Sequence, residues 1–272
     1  MILNMGDFLI VIMLGVIQGI TEWLPISSTG HLLIFDSIFP FNASEQFKSV
    51  FTVVIQLGSI LAVLVLYWSK LWPFKKDKKE MKRSFTLWFK VLVASIPAAV
   101  VGLLFDDIID SKLSNYIVIA IALFVYGVLY IILENKVKFK TRVTSLDDIS
   151  YLDSLKIGAF QMLALIPGTS RSGSTILGGI ITGISRPVVA EFSFFMAIPV
   201  MAGASLLRLL KSGLNFTLNE WMFLLVGSLV AFIVSLFVIK ALVKFVREHS
   251  FSVFGVYRII LSILIILYFS FC

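Results

Sequence analysis

Two short polar stretches interrupt an otherwise oily chain, and they hold most of the side chains able to do chemistry there. The first, "EWLPISSTGH", runs from Glu22 to His31, and the second, "PGTSRSGST", from Pro167 to Thr175. In the second, Gly168 and Gly173 let backbone approach a ligand closely. Thr169, Ser170, Ser172, Ser174 and Thr175 add hydroxyls, and Arg171 presents a planar fork suited to phosphate. The pattern reads as a phosphate cradle, although not a Walker loop, since no Gly-Lys-Ser/Thr ends it. The plainer reading is that the hydroxyls cap a helix while Arg171 pairs with a carboxylate. An unpaired arginine in lipid is costly, however, and usually functional.

The first stretch carries complementary groups. Gln18 and Glu22, four residues apart, share a helical face, and Ser27, Ser28, Thr29 and His31 follow the break at Pro25. Glu22 could hold a hard divalent cation, Mg2+ or Ca2+, together with phosphate oxygens, or accept a proton, or simply balance Arg171. Ser28 is a nucleophile or a helix cap. His31 is an acid, a base, a phosphoryl acceptor or a capping histidine. The residues alone leave the nucleophile open between Ser28 and His31.

The elements that position these groups follow from composition. With 59% hydrophobic and 14% charged residues and a mean hydropathy of +1.00 over 272 residues, the chain lies outside the range of soluble domains. Six segments are long enough to cross a membrane, near 49–68, 85–105, 113–133, 187–207, 221–240 and 252–271. Two further apolar runs, 8–35 and 157–185, are broken in the middle by the polar stretches, and each half is too short to cross. Broken backbone at membrane depth is tolerable only where protein buries it or water reaches it. The expected fold is an all-α polytopic integral membrane protein with six transmembrane helices plus two re-entrant helical hairpins, in one membrane domain over 1–272. A single cysteine, Cys272, excludes an internal disulfide and a cysteine metal cluster, and two histidines leave little room for a zinc enzyme. The first 47 residues contain no Lys or Arg and no small-residue cleavage pattern, so no removable signal peptide is expected.

Charge orients this layout. Of 23 Lys and Arg, eight fall between Lys70 and Lys90, five between Lys136 and Lys156 and three between Lys240 and Arg247, all on one face of the six-span arrangement. The other face receives Lys48, Lys112, Arg208 and Lys211, beside "DDIIDSK", read as an acidic turn. The basic face is therefore expected in the cytoplasm, with both termini outside and the first hairpin entering from outside. The net charge of +7 is loop charge, so no nucleic-acid partner is expected, while "KKDKKEMKR" suits anionic lipid. Within the spans, Lys90 can snorkel, Pro97 and Pro199 are expected to kink their helices, and Arg258 is a second phosphate contact or a partner of Glu191.

The chain also looks internally doubled. "GVIQGITEWLPISSTG" from Gly15 resembles "GAFQMLALIPGTSRSG" from Gly158, and "LVASIPAAVVGLLF" from Leu92 aligns with "LVGSLVAFIVSLFV" from Leu225. Repeat one would span about 1–145 and repeat two about 150–272. One hairpin plus three crossings per repeat turns the second copy upside down, an inverted-topology repeat. The two broken tips can then meet near the midplane with helix N-termini, which bind anions, directed inward.

"QGITEWLPISSTGH" and "PGTSRSGST", together with "EFSFFMAIP" and "YRI", resemble the signature motifs of the undecaprenyl-diphosphate phosphatases, also called bacitracin-resistance proteins, over essentially the whole chain. That family's first motif begins with Glu or Gln; this chain has Gln18, which concentrates any carboxylate duty on Glu22. The resemblance implies a multi-pass enzyme of the bacterial inner membrane. It would remove the terminal phosphate of undecaprenyl diphosphate, recycle the carrier lipid for peptidoglycan and confer bacitracin resistance. It implies a divalent cation, with Glu22 as metal ligand or base, Ser28 or His31 attacking, and Arg171 stabilising phosphoryl charge. The partners expected are the polyprenyl diphosphate and membrane lipid, with a homodimer left open and the site open to the extracytoplasmic side. An inverted-repeat anion transporter or a lipid-carrier translocase is the alternative.

Overall fold

Backbone surrounded by apolar side chains and lipid must satisfy its own hydrogen bonds, and these sequences do so as helix. The computed structural model describes residues 5–136, 140–213 and 215–271; Cys272, and Lys138 of the basic group at 136–156, lie outside them. Eleven α-helices follow in order: α1 (Met5–Thr21), α2 (Ser28–Ile38), α3 (Glu45–Leu66), α4 (Trp68–Leu71), α5 (Lys78–Leu113), α6 (Tyr116–Lys136), α7 (Tyr151–Met162), α8 (Arg171–Ile181), α9 (Arg186–Ser212), α10 (Leu218–Glu248) and α11 (Ser252–Phe271). Six of them, α3, α5, α6, α9, α10 and α11, are long and apolar enough to cross a membrane, matching the six expected crossings. The helix pairs α1/α2 and α7/α8 are the two broken runs.

The stretch read as an acidic turn is a correction. α5 continues as helix through "DDIIDSK" to Leu113, and the chain turns only at Ser114 and Asn115, whose side chain caps α6 by accepting from the Val118 N–H at 3.0 Å. Charge marks where a helix leaves lipid, but without Gly or Pro it does not end one. Pro97 lies inside α5 and Pro199 inside α9.

Start signals are explicit elsewhere. Ser44 caps α3, Asp77 caps α5, and Ser150/Asp153 and Thr217/Glu220 form capping boxes at α7 and α10. Small residues set the helix crossings: a Cβ on Gly58 would lie 2.0 Å from the Ser228 carbonyl oxygen, so α3 and α10 touch backbone to backbone. Gly127 and Gly255 do the same for α6 and α11. Packing crosses between the halves, α1 on α10, α7 on α5 and α3 on α9. The largest buried cluster gathers Trp23 with Phe192, Phe194 and Phe195 of α9, beside both breaks.

The basic connections meet at one end of the bundle. Arg83 pairs with Asp147, Lys90 donates to the Asp147 carbonyl at 2.8 Å, and Val143 makes an isolated β-bridge with Ile184. Arg186 pairs with Glu134 and Arg142 with Asp153. Burial pushes the Asp153 carboxyl up, but the hydrogen bonds from Arg142 and Ser150 outweigh it and hold its pKa at about 2.

Candidate functional site

Both breaks use the same local device. After α1 the chain turns through residues 22–26, and Ser27, at φ 71°, caps α2 by accepting from the Gly30 N–H. After α7 and a 3-10 turn at Leu163–Leu165, Ser170, at φ 74°, caps α8 by accepting from the Gly173 N–H. Among the described residues these are the two non-glycine positions with positive φ. Such conformations cost about 1–3 kcal/mol each and persist only where surroundings enforce them. Ser27 and Ser170 occupy the same place in the two matching stretches, and α2 and α8 have 11 residues each. At Gly168 (φ 92°) any Cβ would sit 2.5 Å from the Ile119 carbonyl oxygen, so only glycine fits.

The tips converge. Arg171 Nη2 donates to Glu22 Oε1 at 3.0 Å, and the two side chains are 11% and 5% exposed, so the pair is shielded from solvent. Glu22 Oε2 accepts from Gln18 Nε2 at 3.0 Å and from the Ser28 hydroxyl in a long contact of 3.4 Å. Ser172 Oγ donates to the carbonyls of Glu22 and Leu24, which fastens one break to the other. Arg171 Nη1 donates to both the carbonyl and the hydroxyl of Ser193, at 2.7 and 3.1 Å, and the guanidinium lies 5.6 Å from the Trp23 ring. Its Nε is buried without a partner, as is Gln18 Oε1. Both atoms thus keep hydrogen-bonding capacity that no described residue uses.

His31 faces elsewhere. Its Nδ1 is 2.8 Å from the Ser27 carbonyl and its Nε2 is 2.7 Å from the Tyr257 hydroxyl. Arg258 is fully buried and spends its Nη groups on the carbonyls of Pro25, Gly168 and Thr169, while Glu191, its other expected partner, pairs with Lys70. Thr29 is exposed on α2. Ser174 bonds back to the Ser170 carbonyl, Thr175 shares a 2.7 Å hydrogen bond with Ser193, and the Gly173 carbonyl accepts from Tyr130. Of the expected site residues, Gln18, Glu22, Ser28 and Arg171 thus form one contiguous group. Ser27, Gly168, Thr169, Ser170, Ser172, Gly173, Ser174 and Thr175 build the frame around it. Trp23, Ser193, Tyr130 and Tyr257 were not singled out from sequence; only the hydroxyl of "EFSFF" and the tyrosine before Arg258 offered a sign.

Six membrane-length helices and two interrupted helix pairs, between which a buried carboxylate, a hydroxyl and a guanidinium meet beside two helix N-termini, define a multi-pass membrane protein. Residues 11–264 match the family described as Bacitracin resistance protein BacA, and the chain belongs to that family. It is 54% identical over 272 residues, 98% of this chain and 99% of the relative, to an Enterococcus faecalis protein named undecaprenyl-diphosphatase. Proteins of the same name from Acetivibrio thermocellus (54% over 261 residues, 95% of this chain and 96% of the relative) and Desulfitobacterium hafniense (52% over 263 residues, 95% of each) are similarly close.

Proposed function

We propose that this chain is an undecaprenyl-diphosphate phosphatase, which hydrolyses the terminal phosphate of undecaprenyl diphosphate to the lipid monophosphate and inorganic phosphate. The observation that carries this reading is the Ser28–Glu22–Arg171 constellation at the two converging helix starts. Ser28 attacks the terminal phosphorus while its proton passes to Glu22. The bond from that phosphorus to the bridging oxygen breaks, and the lipid monophosphate departs with the electron pair. Glu22 passes its proton to the departing lipid monophosphate, and water then cleaves the phosphoserine, its hydroxyl adding to phosphorus and its other proton returning to the serine oxygen, which releases inorganic phosphate and restores the hydroxyl. Arg171 and the N–H groups opening α8 stabilise charge on the phosphoryl oxygens. Ser28 is favoured over His31 as the attacking group because it is the one that touches the carboxylate; both ring nitrogens of His31 are engaged.

The residues present fit a hard divalent cation in part. Glu22 and the orphaned Gln18 Oε1 are two oxygen donors, and the lipid's phosphates would supply the others; among the described residues no three His, Cys, Asp or Glu cluster. Such an ion, Mg2+ or Ca2+, would neutralise diphosphate charge. The reading extends to an inverted repeat in the bacterial inner membrane. Its basic loops lie in the cytoplasm, and its chamber opens toward the extracytoplasmic leaflet, where the polyprenyl tail stays among acyl chains. The reciprocal packing of α1 on α10 and α7 on α5 supports the inversion, and the loop charges support the orientation.

Purified protein in detergent with undecaprenyl diphosphate decides the reaction. Phosphate release that Ser28→Ala abolishes, with phosphoserine trapped in the wild type, is expected. Protein that binds the lipid yet releases no phosphate is a carrier or translocase, and trapped phosphohistidine would make His31 the nucleophile. Membrane-impermeant thiol labelling of a cysteine placed at Lys76 in a Cys272→Ser background tests the orientation: reaction from outside intact cells reverses it.

A further inference from the structure

The His31 ring is held at both nitrogens, and the geometry fixes which carries hydrogen. A carbonyl oxygen only accepts, so the 2.8 Å contact with the Ser27 carbonyl requires a hydrogen on Nδ1. Nε2 of the neutral ring then has a lone pair, and the Tyr257 hydroxyl at 2.7 Å donates to it. The two rings lie 8° from parallel with centroids 5.6 Å apart. Tyr257 comes from α11, and the next residue, Arg258, is bonded to the Pro25, Gly168 and Thr169 carbonyls. One turn of α11 therefore carries both a clasp on the two breaks and a hydroxyl aimed at the imidazole.

We propose that Tyr257 is a positioning residue for the phosphatase reaction, acting through His31 on the peptide that precedes Ser28. The connection is continuous: Tyr257 hydroxyl to Nε2, Nδ1–H to the Ser27 carbonyl, and from Ser27 directly to Ser28. Ser27 sits in a costly backbone conformation, so its carbonyl needs an external hold, and His31 supplies one. The imidazole is in turn kept in a single tautomer and orientation by the phenol, as a base or brace is usually kept by a third group. His31 is then a brace for the Ser28 backbone and not a phosphoryl acceptor.

This rests on the proposed phosphatase activity, and two readouts separate the ideas. Tyr257→Phe keeps the ring and deletes the hydroxyl. It should lower kcat by up to about tenfold, the scale of one lost hydrogen bond, with KM within about twofold. In a His31→Gln background the same substitution should add less than about a twofold loss, because its route to Ser28 is already cut. The chain has 2 histidines, so 15N-histidine labelling with His249→Gln leaves one ring to observe. Tyr257→Phe should move its Nε2 resonance and keep the Nδ1–H signal. Wild-type turnover in Tyr257→Phe, full multiplicative losses in the double variant, or an unmoved Nε2 resonance would each overturn the role of Tyr257. A wild-type protein that releases no phosphate overturns the phosphatase reading, and this inference with it.

Discussion

The two tips share a backbone and divide the chemistry. Ser27 and Ser170 adopt nearly the same φ, cap helices of equal length through the residue three on, and follow the same break in matching stretches. What stands on that backbone differs. The first residue of α2 is Ser28 and that of α8 is Arg171; where the first tip has Glu22 the second has Leu165. In the proposed reaction the first tip carries the nucleophile, Ser28, and its proton acceptor, Glu22, and the second carries the guanidinium of Arg171. A duplicated turn with helix N–H groups can hold an anion from two sides, but two copies of the same carboxylate would repel each other and the ligand. Different side chains on turns of the same shape are what the proposed site requires.

The sharpest way to break this comparison is to remove the charges that distinguish the tips. Arg171→Ala should lower kcat on the order of 10²–10³-fold, as loss of a charge-stabilising donor does. Leu165→Ala, at the position matching Glu22, should leave phosphate release within a few-fold; an equal loss in both would mean that the second tip also works through that position. Next in size are the helix contacts behind each tip. A Cβ on Gly158 would lie 2.3 Å from the Ala94 carbonyl oxygen, and one on Gly15 2.8 Å from that of Gly227. Gly158→Ala and Gly15→Ala should each destabilise by about 1–3 kcal/mol, the former more, read by thermal unfolding in detergent.

Smaller effects sharpen the equivalence of the caps. Ser27→Ala and Ser170→Ala should each cost about 1 kcal/mol, whereas the glycine variants should cost only a few tenths, since glycine tolerates the positive φ. Unequal results at the two positions would show that the turns are alike in shape and unlike in strain. The smallest effect belongs to Asp153; at the same offset ahead of the first matching stretch the chain has Ile10. Its carboxyl titrates at about 2 in the folded protein, below the ordinary 3.8, so its stabilisation is complete above the ordinary value and fades as pH falls through about 2. The melting-temperature gap between wild type and Asp153→Asn should therefore be constant near neutrality and close in strong acid.

Much of this was legible in the letters. Six crossings, two breaks and the meeting of Glu22 with Arg171 follow from the cost of polar groups in lipid, which leaves few places to put a charge. Tyr257, Ser193 and Trp23 were not legible, because tyrosine, serine and tryptophan are ordinary in membrane helices and their roles arise from partners far along the chain. Arg258 shows the boundary well. A buried cation in "GVYRIIL" announces itself, but its partners are carbonyl oxygens, which every residue has and no letter marks. The acidic "DDIIDSK" misled for the opposite reason, since charged letters stand out while α5 simply continues through them.

The clasp made by Arg258 also sets an order on biosynthesis. Its guanidinium belongs to α11, while the loops it fastens were made far earlier, around Pro25 and Gly168. A ribosome must therefore deliver α11 before those loops are locked together. Nascent chains stalled short of residue 258 would carry both breaks without the guanidinium that ties them together.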